Sequence, residues 1–334
     1  MTGRAITNPA GEAPDGGDPA VDPFADPQAV AQALSGTGYL PDSALATAVF
    51  LAARLERPLL LEGEAGVGKT SLAEALALIK GSTLIRLQCY EGIDATQALY
   101  DWDFPRQVLH LRALQALGPG QANDPVEASA STAGSAASVD TGVLSAVEDE
   151  LYSERFLLAR PILSALRTPD AVLLIDEIDR ADDEFEAFLL EVLSDFAVTI
   201  PELGRVVAAR PPLVVITSNR TREVHDALKR RCLYHWLEHP GLAREVQILR
   251  RRLPGIAEVL AADVAAAVGR LRDSALLKPP GVAESLDWAR ALDALGAKRL
   301  DVGNGTATLG AALKYHEDIE QVRSAGAALL TGAG

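Results

Sequence analysis

Residues 63–70 read Gly63-Glu64-Ala65-Gly66-Val67-Gly68-Lys69-Thr70, with Ser71 next. Glycines at this spacing let successive backbone N–H groups converge on an anion, and the Lys-Thr pair adds a cation and a hydroxyl. The flanks agree with that reading. Pro58 to Glu62 is a short apolar run and Ser71 to Ile79 has helical composition, so the glycines fall where a strand turns into a helix. This is the pattern of a phosphate loop, and residues Gly63 to Ser71 are the candidate nucleotide-binding segment. In that pattern Lys69 reaches the β and γ oxygens of a nucleoside triphosphate and Thr70 ligands Mg²⁺.

Outward from the loop, Val172-Leu173-Leu174-Ile175 is an apolar run that ends in Asp176-Glu177. A carboxylate at the end of a buried strand suits Mg²⁺ held through water between phosphates, the role read for Asp176. Adjacent side chains on a strand end diverge, so Glu177 is free to polarise a water in line with the γ-phosphate. Asp179 reads as an acidic helix cap. Another apolar run, Leu213 to Thr217, ends in Ser218-Asn219, which places an amide where it can bond the attacking water or a γ oxygen. Asp226-Ala227-Leu228-Lys229-Arg230-Arg231 puts cations at the end of a short helix, where they complement the dipole or reach a neighbouring subunit's phosphate.

The chain has 334 residues, 48% of them hydrophobic, enough for a sizeable core and more than one domain. A net charge of −15 demotes nucleic acid as a partner, because no general excess of cations is present to neutralise phosphates. No stretch of apolar residues is long enough to span a membrane, and the N-terminus lacks a basic start with an apolar core, so a cytoplasmic protein is expected. Cys89 and Cys232, each beside apolar residues and without ligand spacing, read as buried thiols.

Residues 1–27 are rich in Gly, Pro, Ala and Asp and read as a disordered tail. Val30 to Leu55 carries helical periodicity on either side of a turn at Gly36-Thr37-Gly38-Tyr39-Leu40-Pro41. Five apolar runs (Pro58–Glu62, Thr83–Leu87, Ala171–Ile175, Leu213–Thr217 and Tyr234–Leu237) alternate with helices and predict a five-stranded, doubly wound parallel α/β sheet. Within this unit, residues 28–239, the stretch 118–147 has the composition of a flexible insertion. Arg155 to Leu166 reads as an amphipathic helix, and 240–330 as a small all-helical domain.

Taken in order, these features resemble the AAA+ ATPase module, a P-loop NTPase fold with a helical lid. Leu84-Ile85-Arg86-Leu87-Gln88-Cys89, Leu174 to Ala181 and Phe188-Leu189-Leu190-Glu191-Val192-Leu193 resemble the MoxR group. Cys89-Tyr90-Glu91-Gly92 with Tyr100-Asp101-Trp102-Asp103 is similar to its branch accompanying carbon monoxide dehydrogenase and related molybdenum hydroxylases. The resemblance implies a homo-oligomeric ring, usually a hexamer, that binds ATP and Mg²⁺ between subunits. It implies a partner with a von Willebrand factor A domain and a client metalloenzyme or complex that the ATPase helps to mature. By position, Lys69 and Thr70 bind phosphate and metal, Asp176 and Glu177 serve metal and water, and Asn219 is the sensor. Arg230 or Arg231 becomes the finger donated in trans, and Gly38-Tyr39 resembles the region that cradles adenine. The segments Asp94–Arg112 and Val198–Val207, the latter resembling a hairpin, would face the pore or client. One departure stands out. In place of a Ser-Pro-Arg-like sensor arginine opening a lid helix, the chain has Val282-Ala283-Glu284-Ser285-Leu286-Asp287-Trp288-Ala289-Arg290. That role has moved, to Arg290 or to Arg250-Arg251-Arg252, or the coupling differs; taken alone, Arg290 reads as a solvated helix face.

A nucleic-acid motor is the alternative, though Asp94 to Phe104 holds three aspartates and no cation. A nucleotide-dependent scaffold with little turnover is a third reading, opposed by the intact Glu177. GTP is disfavoured by the absence of an Asn/Thr-Lys-x-Asp guanine-reading motif.

Overall fold

The computed structural model describes residues 22–117 and 149–332. The readings for 1–21 and 118–147 therefore lie outside the described residues. In the N-terminal unit the helices are α1 (Pro27–Gly36), α2 (Ser43–Leu55), α3 (Lys69–Lys80), α4 (Ala95–Leu99), α5 (Phe104–Leu117), α6 (Pro161–Arg167), α7 (Asp183–Asp195) and α8 (Asp226–Arg231). Its strands are β1 (Leu59–Gly63), β2 (Leu84–Gln88), β3 (Tyr100–Trp102), β4 (Leu157–Ala159), β5 (Val172–Asp176), β6 (Ala197–Ile200), β7 (Gly204–Val207), β8 (Leu213–Ser218) and β9 (Leu233–Leu237). The lid contains α9 (Leu242–Arg252), α10 (Glu258–Arg272), α11 (Val282–Ala294), α12 (Val302–Ala312), α13 (His316–Ala325) and α14 (Ala327–Leu330).

Five strands form one parallel sheet in the order β2-β5-β8-β1-β9. Such a sheet needs both faces covered, which is why β5 and β8 are buried at every position. On one face Leu59, Leu61, Leu174 and Val215 pack against Val49 of α2 and Leu72 and Leu76 of α3. On the other, Leu60, Leu173, Ile175 and Ile216 meet Ile162 and Leu163 of α6 and Phe185 and Leu189 of α7. A third core, built around Trp288, Leu260, Val264 and Leu309, holds the lid helices together. Because β8 lies between β1 and β5, its tip separates the phosphate loop from the Asp176-Glu177 pair.

Two local expectations are corrected. The stretch 22–27 is not simply tail: Phe24 packs on the core, and the Asp26 carboxylate accepts the Ala29 N–H at 2.8 Å to cap α1. Arg155 to Leu166 is not one helix. It divides into a 3₁₀ turn at Glu154–Phe156, β4 paired antiparallel with β3, and α6. Pro161 accounts for the break, since the residue before a proline is pushed to extended backbone and Pro itself fits the first helical turn. The hairpin expected at Val198–Val207 forms as the β6–β7 pair. Both cysteines are free and buried, with thiols pushed up to about 12 chiefly by burial. Among the described residues no helix is long and apolar enough to cross a membrane.

Candidate active site

The loop after β1 is shaped by backbone positions that exclude a side chain. A Cβ at Gly63 would stand 2.4 Å from the Leu237 carbonyl oxygen on β9, and Gly66 holds φ +79. Lys69 opens α3 and is almost wholly buried, its Nζ donating to the Gly63 and Glu64 carbonyls at 2.7 Å each. Burial lowers its pKa, while Asp179, Asp176, Glu177 and Glu64 push it back up.

Asp176 faces this lysine's helix from the tip of β5. Thr70 Oγ1 lies 3.2 and 3.3 Å from its two carboxylate oxygens. Oδ1 also accepts the Thr217 hydroxyl at 2.5 Å, and Oδ2 pairs with the Arg86 guanidinium at 2.6 Å. A hydroxyl beside a carboxylate is a hard-oxygen donor pair, which fits Mg²⁺ completed by phosphate oxygens and water. Glu177 breaks the strand with φ +56, a conformation costing a side-chain-bearing residue about 1–2 kcal/mol. Its N–H is fixed by the Thr217 hydroxyl at 2.9 Å, and the turn aims the carboxylate into the cleft mouth. There Oε1 meets the Asn219 amide nitrogen at 3.3 Å, and Oε2 meets the Gln88 amide nitrogen at 3.1 Å and Arg180 at 3.4 Å.

These groups line a cleft of about 810 Å³ between sheet and lid, within the size range of small-molecule sites. Ala65 to Ser71, Asp176, Glu177 and Asn219 are on its wall, together with Gly38 and with Tyr39, whose ring lies beside Gly68. Burial pushes the Tyr39 phenol up, so it remains a neutral wall. Gly63 and Glu64 sit at the base of the loop, the latter bonded to His239 at 2.9 Å. The lid closes the cleft through Val282, whose N–H donates to the Gly66 carbonyl at 2.9 Å. Gly281 approaches so tightly that a Cβ there would be 2.8 Å from Gly66 Cα.

Arg290 lines the cleft on the same helical face as Val282, Ala283 and Leu286, yet it is exposed and pairs with Asp287 at 3.3 Å, in keeping with a solvated helix face. Arg252 also faces the cleft, whereas Arg250 pairs with Glu258 and Arg251 bonds the Ser35 carbonyl. Ser285 is buried and donates to Glu245 at 2.6 Å. Arg230 and Arg231 are elsewhere: they are exposed at the end of α8, beside the strand starts and away from this chain's cleft. Arg57 binds their carbonyls, at 2.7 and 3.0 Å. Asp179 caps no helix; α7 is capped by Asp182, which accepts the Phe185 N–H at 2.9 Å.

Residues 58–232, just over half of the chain, match the family described as the AAA domain (dynein-related subfamily). The chain belongs to that family. Among solved structures it is similar to the RuvB Holliday junction branch migration motor of Thermotoga maritima, with a TM-score of 0.41 and 17% identity over 87% of this chain and 70% of that one. A variant of the same motor gives a TM-score of 0.41 and 17% identity, covering 79% of this chain and 65% of the other.

Several groups in this AAA domain's site escaped the sequence reading. Gln88 is one, although its register opposite Asp176 across the β2–β5 pair is the signal that locates it. Thr217 is another, the hydroxyl in the last turn of an otherwise apolar strand that ties Asp176 to the Glu177 backbone. Neither Arg86 nor the Gly281–Val282 contact is given a site role by local pattern, because each depends on neighbours far along the chain.

Proposed function

We propose that this AAA domain protein is an ATP-hydrolysing remodelling ATPase of the MoxR type, and that Glu177 is its general base. The observation that carries the reading is the placement of the Glu177 carboxylate at the cleft mouth, bracketed by the amides of Asn219 and Gln88. Loop N–H groups and Lys69 receive the phosphates, and Tyr39 with Gly38 borders the base end. Thr70 and Asp176 would hold Mg²⁺, which when bound neutralises charge on the β- and γ-phosphates. Glu177 takes a proton from a water as that oxygen bonds to the γ-phosphorus; the bond to the β-bridging oxygen breaks, giving ADP and phosphate. Asn219 orients the water or a γ oxygen.

The ring, a hexamer by resemblance, fits the placement of Arg230 and Arg231, which are exposed at the end of α8. Arg244, Arg252 and Arg290 are the lid arginines that line the cleft, Arg244 also donating to the Leu40 carbonyl. The partner with a von Willebrand factor A domain and the metalloenzyme client follow from the sequence resemblance, and a cytoplasmic setting is the expectation from the apolar patterning of the sequence.

Glu177→Gln tests the base. It should retain ATP with near-parental affinity while turnover drops about 10²- to 10⁴-fold. Hydrolysis at the parental rate would remove Glu177 from this role. Salt-dependent binding of single-stranded DNA at physiological ionic strength would favour a nucleic-acid motor instead.

A further inference from the structure

The turn that carries Glu177 also grips the loop that carries Asn219. Asp179 follows the base by two residues and is 3% exposed. Its Oδ1 accepts the Asn219 backbone N–H at 3.1 Å, and its Oδ2 accepts the Thr221 N–H at 2.9 Å and the Thr221 hydroxyl at 2.6 Å. Further along the same segment, Glu186 on α7 accepts the His225 N–H at 2.8 Å and pairs with Arg222. Arg222 in turn donates to the Ala181 carbonyl at 2.7 Å. Residues 219–225 are thus tied at both ends to residues 179–186. Between the ties Arg220 holds φ +56, a strained state that persists only where its surroundings over-determine it.

Base and sensor come from different strands, and the sheet register alone does not fix two side chains that lie beyond the strand tips. Asn219 stands one residue past β8, and Glu177 one residue past β5. A buried carboxylate that accepts three donors makes charge-assisted bonds, stronger than neutral ones, and so supplies a stiff cross-tie. We propose that Asp179 is a positioning residue for hydrolysis: it holds the Asn219 amide in register with the Glu177 carboxylate and acts through Asn219 without touching the nucleotide. This inference rests on the ATPase reading of the site.

A carboxylate that merely supported the fold would weaken all variants alike, whereas one acting through Asn219 has nothing left to lose once that amide is gone. The test is a cycle of Asp179→Asn, Asn219→Ala and the double variant, read as kcat and as ATP affinity. Asn at 179 preserves volume but turns an amide N–H₂ toward donors that need an acceptor. Asp179→Asn should lower kcat about 10- to 100-fold, the scale of a 1 Å misplacement, with ATP affinity unchanged. The double variant should be no slower than Asn219→Ala. Multiplicative losses, or parental kcat in Asp179→Asn, would overturn the proposal. Amide hydrogen exchange gives a readout independent of turnover. Asp179→Asn should expose the Asn219 and Thr221 amides while Val214 to Ile216 keep their protection; unchanged protection at 219 and 221 would overturn the cross-tie. Exposed amides in a protein whose parent hydrolyses no ATP would instead overturn the ATPase reading and leave Asp179 with a structural role only.

Discussion

Gly66 answers to two constraints at once. Its φ of +79 shapes the phosphate loop, and a Cβ there would press on Glu284 Oε2 at 3.0 Å and Gly281 Cα at 3.1 Å. Gly68, at φ +98, shares the first constraint, but its added Cβ would meet only Tyr39 at 3.8 Å. Backbone strain alone costs about 1–2 kcal/mol in either substitution. Gly66→Ala should therefore weaken ATP binding by more than Gly68→Ala, whose loss should lie near the roughly 5- to 30-fold of the shared strain. Titration with a fluorescent nucleotide checks the order; equal losses would show that the lid contact does not matter. The same residues show what was readable at this scale. The loop glycines, Lys69 and Thr70 announce themselves because the chemistry needs them consecutively, whereas Gly281 packs on Gly66 from more than two hundred residues away.

At the scale of elements, β9 and the lid make separate predictions. His235 lies on β9 in the cleft wall, where burial lowers its pKa below 6.5 against the opposing pull of Asp42. Between that lowered value and 6.5 the unfolded chain binds a proton the folded chain does not. This group therefore makes stability rise with pH, and its contribution is lost as acid crosses that window. His235→Gln should flatten the decline in thermal midpoint between about pH 7.5 and about pH 5, and an unchanged slope would refute the assignment. In the lid, Glu245 on α9 pairs with Arg272 on α10 through bonds of 2.6 and 2.9 Å, and it accepts Ser285 of α11. Glu245 is buried and Arg272 mostly so, and Glu245→Ala leaves the guanidinium without its carboxylate and should cost about 3–5 kcal/mol. Arg272→Met added to Glu245→Ala should recover much of that loss in chemical denaturation; simple additivity would argue against an isolated buried pair. The five sheet strands were legible as apolar runs, but Arg155 to Leu166 was only partly so: the helix starts at Pro161, and the residues before it pair antiparallel with β3.

At the scale of the molecule, the sheet places the cleft at the strand ends and Arg230 and Arg231 at the strand starts. One chain cannot bring them together, so a finger role for this pair requires a neighbouring copy. Mixing Lys69→Ala subunits with Arg230→Ala,Arg231→Ala subunits should restore part of the activity that each lacks alone. No rescue in rings shown to contain both would count against a finger in trans.

The sequence by itself determined the nucleotide-binding turn, the acidic strand end, the parallel α/β layering and the helical lid, since each is written in local spacing or periodicity. Only the tertiary structure decided which groups surround Glu177 and which lid cations face the cleft. Pairing β5 with β2 on one side and β8 on the other brings the Gln88 and Asn219 amides onto the Glu177 carboxylate and ties Asp179 to the Asn219 backbone, and the packing of the lid puts Arg252 and Arg290 at the cleft wall. Those are contacts between residues distant in the chain, fixed by strand register and helix packing, and no local pattern encodes them.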